Sequence, residues 1–198
     1  MNLREYPIKA KLRDGSEVQV RAMDAKDGPA VLEFFRALSE EDRLFLRDDV
    51  TRPEWLDRFV RQIDYQTMLP LVAEDGSGIV GNAALYRPLY GWSVHVGEMR
   101  VAVAREYQHK GLGTVLAHEL VKLALDAGLE KMIVSVVDNQ IAAKRAFEKL
   151  GFHSEAVLKG HVKDIHGTKR DLVVMSNDVS HIWESMEALM RDYSPSLE

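Results

Sequence analysis

Between residues 94 and 127 an alternating strand pattern gives way, across one short loop, to a long helix, and the loop reads Gln108-His109-Lys110-Gly111-Leu112-Gly113. This junction constrains the chain more than any other segment. Leu112, Val115, Leu116, Leu120 and Leu123 recur at helical spacing, so the helix over 111–127 has an apolar face that must be buried, and Gly128 ends it. The first N–H groups of a helix have no internal partner, and the helix dipole favours negative charge there. Glycine lets a second molecule approach the backbone closely. A strand, a glycine loop and a helix start therefore make a ready site for a pyrophosphate. The same glycines also suit a tight turn that binds nothing, and the junction alone leaves both readings open. Two nucleotide fingerprints are excluded: Gly111-Leu112-Gly113 lacks the third glycine of Gly-x-Gly-x-x-Gly, and no Gly-Lys-Ser/Thr is present.

The flanking pattern is mixed. Residues 8–23 read as a β-hairpin turning at Asp14-Gly15. A helix follows from Asp27, with Val31, Phe34, Phe35 and Leu38 at helical spacing. Residues 39–52 are charged and ambiguous, with Leu44, Phe45 and Leu46 interrupting the charges, and Pro53 suits the first turn of a second helix carrying Trp55, Leu56, Phe59, Val60 and Ile63. Strands are expected over 68–74, 79–87, 94–104 and 132–137, a helix over 141–150 ending at Gly151, two strands over 152–162 and 171–175, and an amphipathic helix over 179–191 that includes Ile182, Met186, Leu189 and Met190. The expected fold class is α/β: a mixed, mostly antiparallel central sheet with helices on both faces.

At 198 residues the chain fits one domain spanning 1–198. A net charge of -5 argues against a general nucleic-acid binder, which needs a basic surface. With no cysteine, no disulfide, zinc-thiolate or thiol nucleophile can form. The N-terminus has no apolar run behind its charges and no segment is apolar enough to span a membrane, so a cytoplasmic protein is expected. The seven histidines show no metal-ligand spacing; they read as surface or loop residues, and no metal is expected. Ser39 and Ser135 lack any nucleophile-elbow context.

Gln-x-x-Gly-x-Gly after a strand resembles the coenzyme A pyrophosphate motif of the GNAT superfamily of N-acetyltransferases. The flanking text from Glu98 to Thr114 is similar to that motif, and Ala146-Phe147-Glu148-Lys149-Leu150-Gly151-Phe152 resembles the superfamily's second signature. The opening, with Val18, Arg21 and Leu38-Ser39-Glu40-Glu41, resembles bacterial protein-lysine acetyltransferases. The resemblance covers about residues 16–178, the core of the expected domain. It implies acetyl-CoA as acyl donor and a primary amine, on a protein lysine or a small molecule, as acceptor. It also implies that backbone amides of His109, Lys110, Gly111, Leu112, Gly113 and Thr114 hold the pyrophosphate. Side chains of Gln108, His109 and Lys110 would add contacts, although Lys110 equally suits an ordinary solvated lysine. The pantetheine arm would pair with the backbone of Val101, Ala102 and Val103 where that strand splays from the strand over 131–137.

The resemblance further places Glu98 as the base that deprotonates the amine; the alternative is a glutamate that faces outward or pairs with Arg100. A neutral amine is needed because an alkyl amine is mostly protonated at neutral pH. A backbone N–H between Val101 and Val103 would serve the oxyanion. Many members carry a tyrosine as general acid in the second signature, where this chain has Phe147; the usual asparagine falls on Gln140, with Asn139 displaced by one. Phe147 would pack on the coenzyme, and Tyr86, Tyr90 or water stay open as other proton donors. The turn 86–92 reads as hairpin packing or an oligomer contact ahead of an acceptor wall, and Glu40, Glu41, Asp42, Asp48 and Asp49 as solvated surface ahead of an acceptor contact. The last strands and helix offer surface for a homodimer. A binding module that has lost catalysis, an acyl-CoA sensor or partner subunit, is the second reading, consistent with Phe147.

Overall fold

A computed structural model of the chain describes residues 5–43, 46, 48–50, 52–61, 63–164 and 166–193. Its strands are β1 (Ile8–Lys11), β2 (Glu17–Ala22), β3 (Met68–Asp75), β4 (Gly78–Tyr86), β5 (Val96–Val103), β6 (Lys131–Val137), β7 (His153–Lys163) and β8 (Lys169–Asp178). Its helices are α1 (Gly28–Ala37), α2 (Glu40–Arg43), α3 (Pro53–Arg61), α4 (Leu112–Asp126), α5 (Ile141–Lys149) and α6 (Val179–Tyr193). The strands form one sheet in the order β1-β2-β3-β4-β5-β6-β8-β7. Neighbours are antiparallel except β5 and β6, which are parallel. The expected mixed sheet and its helices are present, and residues 39–52 resolve in part as α2, while Leu44 and Phe45 lie outside the described residues.

Alternation within the strands sends apolar side chains to both faces. On one face Leu112, Leu116, Leu120 and Leu123 of α4 pack with Leu85, Met132 and Met175, and α6 closes this core with Ile182 and Met186. On the other face α1 and α3 bury Val31, Phe34, Phe35, Trp55 and Phe59 against Met68 and Val72. Phe35 meets Trp55 edge-on at 5.2 Å, and Trp55 stacks on Phe59 at 4.9 Å. Arg21 ties the start of α1 to the sheet through Asp27 at 2.6 Å and Glu74 at 2.7 Å. Among the described residues no helix is long and apolar enough to cross a membrane.

His118 corrects the expectation that the histidines are surface or loop residues. It is buried in α4, because α6 covers the side of α4 turned away from the sheet. Its ring stacks on Trp183 at 4.9 Å, with Nδ1 3.1 Å from Glu119 Oε1 and Nε2 3.5 Å from Glu187 Oε1. The Tyr6 hydroxyl donates to Glu119 Oε2 at 2.9 Å. Burial, and then the charge of Glu119, push the Tyr6 phenol above its ordinary value near 10. The folded chain therefore keeps a proton that the unfolded chain releases above about pH 10, so stability is full below that pH and falls as pH rises past it. Tyr6→Phe is expected to cost about 1–3 kcal/mol at neutral pH, since buried Glu119 loses a donor, and to flatten the alkaline decline. Denaturant unfolding at neutral pH and at about pH 11 reads both effects.

Candidate functional site

Strands β5 and β6 pair only through Val96↔Lys131, Gly97↔Met132 and Glu98↔Ile133. Beyond Glu98 they diverge, while β5 stays paired to β4 as far as Gly81↔Val103 and β6 to β8 as far as Val137↔Leu172. The wedge between them opens into a cleft of about 1550 Å³. Backbone direction alternates along a strand, and Ala104 donates to the Val80 carbonyl of β4 at 2.9 Å. The N–H and C=O groups of Ala102 and Arg100 therefore point to β4, and those of Val101 and Val103 point into the wedge. Of the three residues expected to pair with a pantetheine arm, Val101 and Val103 offer backbone groups; Ala102 offers its side chain to the wall.

The opposite wall carries a substitute partner for a strand donor. Asp138 donates to Asp171 of the neighbouring segment at 3.0 Å, so the Val137 N–H points the other way, toward β5. The Gln140 side-chain oxygen accepts that N–H at 3.0 Å. Gln140 thus satisfies a donor that β5 would satisfy in a continuous sheet, and an unpaired buried N–H would cost free energy. Asn139 is exposed on the cleft wall beside it.

At the wide end of the wedge the loop before α4 separates its two glycines by purpose. Gly111 sits at φ +97°, a conformation that side chains rarely adopt, so the turn itself requires it. Gly113 is the second residue of α4, and a Cβ there would meet only Val103 Cγ2 at 3.8 Å. Among the described residues nothing demands glycine at 113; the open side is the cleft. His109 is also at positive φ, +62°, and lines the cleft with Thr114. The amides of Thr114 and Val115 both bond to the Gly111 carbonyl at 3.0 Å, and those of Leu112 and Gly113 precede the first helical bond. Leu112 itself is fully buried, so its side chain serves the core.

Lys110 turns away from the cleft. Its Nζ lies 2.7 Å from Asp14 Oδ2 and 5.2 Å from the Tyr107 ring centre. That hydrogen bond, first among several causes, holds the Asp14 carboxyl well below the ordinary carboxylate range. Gln108 spans the loop weakly, with Nε2 3.4 Å from the Val103 carbonyl and from Asp42 Oδ1. Arg13 is the residue that sequence reasoning missed. Its N–H donates to the Lys110 carbonyl at 3.0 Å, and its Nε stands 3.6 Å from where a Gly111 Cβ would be, on the cleft wall. The hairpin turn was legible, but nothing in a single sequence sets residue 13 beside residue 111.

Glu98 stands at the apex of the wedge and lines the cleft, with its side chain 21% exposed. Its Oε1 accepts from Arg100 Nε at 3.2 Å, and the Arg100 guanidinium lies 4.2 Å over the ring of Tyr86, the residue facing Glu98 on β4. The pairing with Arg100 and the placement in the cleft are thus both present. Phe147 lines the cleft and meets Phe152 edge-on at 5.5 Å. In the turn 86–92, Tyr86 packs against the α1 and α3 core and the Arg87 N–H donates to the Thr67 carbonyl at 2.9 Å, whereas Tyr90 and Trp92 are 86% and 96% exposed and lie outside the cleft. Of the acidic residues, Asp42 reaches the cleft, whereas Asp48 and Asp49 pair with Arg58 and Arg52 at the surface.

The site is thus a parallel pair that splays at a carboxylate, with a glycine-opened helix start at its mouth. The model of the acetyltransferase (GNAT) family matches residues 32–152, and the chain belongs to that family. Over 111 residues it is 23% identical to "Putative phosphinothricin acetyltransferase YwnH" of Bacillus subtilis (strain 168), covering 55% of this chain and 68% of that one. The GNAT domain of S. lividans PAT superposes with a TM-score of 0.74 at 17% identity, over 88% of this chain and 97% of that one. The yncA protein from Salmonella typhimurium, solved with its cofactor acetyl-CoA, superposes with a TM-score of 0.70 at 22% identity, over 82% and 94%. At such identities the structural likeness speaks for the fold.

Proposed function

We propose that this chain is an N-acetyltransferase that moves an acetyl group from acetyl-CoA to a primary amine by direct attack in a ternary complex. The observation that carries this reading is the wedge: backbone groups of Val101 and Val103 turned into it on one side, a carboxylate at the apex and an anion-ready helix start at the mouth. The yncA structure with acetyl-CoA supports the same donor. Glu98 accepts the amine's proton, directly or through a water. The Val101 N–H faces the place where the thioester oxygen gains charge, and such donors are worth about 2.7–4 kcal/mol in transition-state stabilisation. Amides from His109 to Gly113 hold the pyrophosphate, the Thr114 amide being taken by the Gly111 carbonyl, and Arg13 adds a cation to it.

The acceptor reaches Glu98 on the face that carries α1 and α2, where Leu38, Asp42 and Leu46 form one wall. Both a protein lysine and a small amine suit this reading. YwnH supports the small amine, by its name alone. Thiol release from acetyl-CoA with a panel of amines and lysine peptides is the test; transfer to at least one is expected. Phe147, which has no hydroxyl, favours the second reading, an acyl-CoA sensor; tight acetyl-CoA binding with no thiol release for any acceptor would establish it. Arg13→Ala is expected to raise the acetyl-CoA Kd about fivefold, roughly 1 kcal/mol for an exposed charged contact, while leaving binding of acetyl-pantetheine, which has no phosphate, unchanged. Calorimetric titration with the two ligands checks this.

A further inference from the structure

In the transfer reached above, charge builds on the departing sulfur, and Phe147 has no proton to offer it. We propose that Ser135, on the strand opposite Glu98, donates a hydrogen bond to the departing thiolate. The inference rests on the acetyl-transfer reading. After Lys131, strand β6 runs Met132-Ile133-Val134-Ser135-Val136-Val137, a single hydroxyl in an apolar run. Val134 and Val136 turn into the core, whereas Ser135 is exposed and lines the cleft. In a parallel pair, facing residues put their side chains on the same side, and Glu98 faces Ile133. Glu98, Ile133 and Ser135 therefore share one face of the sheet.

Ser135 lies two residues, about 6.6 Å, beyond Ile133 along the strand. Had β5 and β6 stayed paired it would stand opposite Arg100. The splay instead leaves its hydroxyl on the wall of the wedge just past the apex. A thioester whose arm bonds to Val101 and Val103 and whose carbonyl reaches the amine beside Glu98 brings its sulfur to this level. Among the described residues nothing takes up the Ser135 hydroxyl, and a β-branched apolar residue would suit a strand better at that position.

The step balances without any redox partner. The ammonium first gives one proton to Glu98, which passes it to solvent; the neutral nitrogen then bonds to the carbonyl carbon, and the second proton it loses passes to Glu98. Collapse of the tetrahedral adduct breaks the C–S bond and leaves the electron pair on sulfur. Ser135 keeps its own proton and shares it as a hydrogen bond to that sulfur, because a serine hydroxyl is a far weaker acid than a thiol, which in a cysteine side chain ionises at about pH 8.5. The proton on Glu98 then passes to the sulfur through solvent, which restores the carboxylate.

The test compares Ser135→Thr, Ser135→Val and Ser135→Ala in the full chain, with kcat for the best acceptor and acetyl-CoA Kd measured for each. Val and Ala are expected to lower kcat about 10- to 100-fold, the range of a charge-assisted hydrogen bond, with Kd within about twofold of wild type. Thr, which matches Val in shape and keeps the hydroxyl, should stay within about threefold of wild-type kcat. Equal kcat for Thr and Val, or an Ala variant at the wild-type rate, would overturn the assignment of Ser135 while leaving the transfer reading standing. A wild-type protein that binds acetyl-CoA but releases thiol with no acceptor would overturn the transfer reading, and this inference with it.

Discussion

Glutamine in place of Glu98 is expected to lower kcat about 100-fold near neutral pH, within the range that general-base catalysis supplies. Glutamine is isosteric, and its side-chain oxygen can still accept from Arg100 Nε, so the apex of the wedge keeps its shape. What it loses is the ability to take a proton. An alkyl ammonium of pKa about 10.4 holds its proton at neutral pH, so the variant must wait for the rare neutral amine. As pH rises toward that value the solution itself deprotonates the acceptor, and the gap between variant and wild type narrows. Acetyl-CoA affinity should not change, since the backbone groups of Val101 and Val103 and the loop before α4 are untouched. A pH–rate profile of both proteins reads the effect. Turnover equal to wild type at neutral pH would remove Glu98 from the role and leave its contact with Arg100 as its whole purpose.

Gly113→Ala should separate binding from folding. Among the described residues a methyl group at 113 meets only Val103, at ordinary contact distance, and alanine is about 1 kcal/mol better than glycine inside a helix. The melting temperature should hold or rise by a few degrees. The methyl stands, however, where the backbone must come close to a phosphate, so acetyl-CoA Kd should rise about 100-fold. Gly111→Ala is the counterpart. Its φ of +97° is unsuited to a side chain, and the strain, about 1–2 kcal/mol, should appear as lost stability. If Gly113→Ala bound acetyl-CoA as tightly as wild type, the glycine loop would be a turn and the coenzyme reading would lose its mouth.

Much of this was legible in the sequence because it depends on local pattern. The strand before Gln108, the apolar face of α4 and the hairpin at Asp14-Gly15 are short-range periodicities, and they came out within a residue or two of their expected bounds. Other features depend on residues far apart. His118 looked like a surface histidine because α4 alone has an outer side, and α6, some sixty residues later, makes that side interior. Lys110 looked available to a ligand until the β1–β2 turn brought Asp14 to it.

By itself, then, the sequence determined which segments are strands and helices, and that a glycine-opened helix follows the strand carrying Glu98. Periodicity and backbone chemistry are properties of neighbours along the chain. Only the tertiary structure decided that β5 and β6 part at Glu98, that Gln140 satisfies the Val137 N–H left by that parting, and that Arg13 and Ser135 stand on its walls. A splay is a hydrogen-bond ladder that stops, and where it stops depends on what each strand pairs with on its other side.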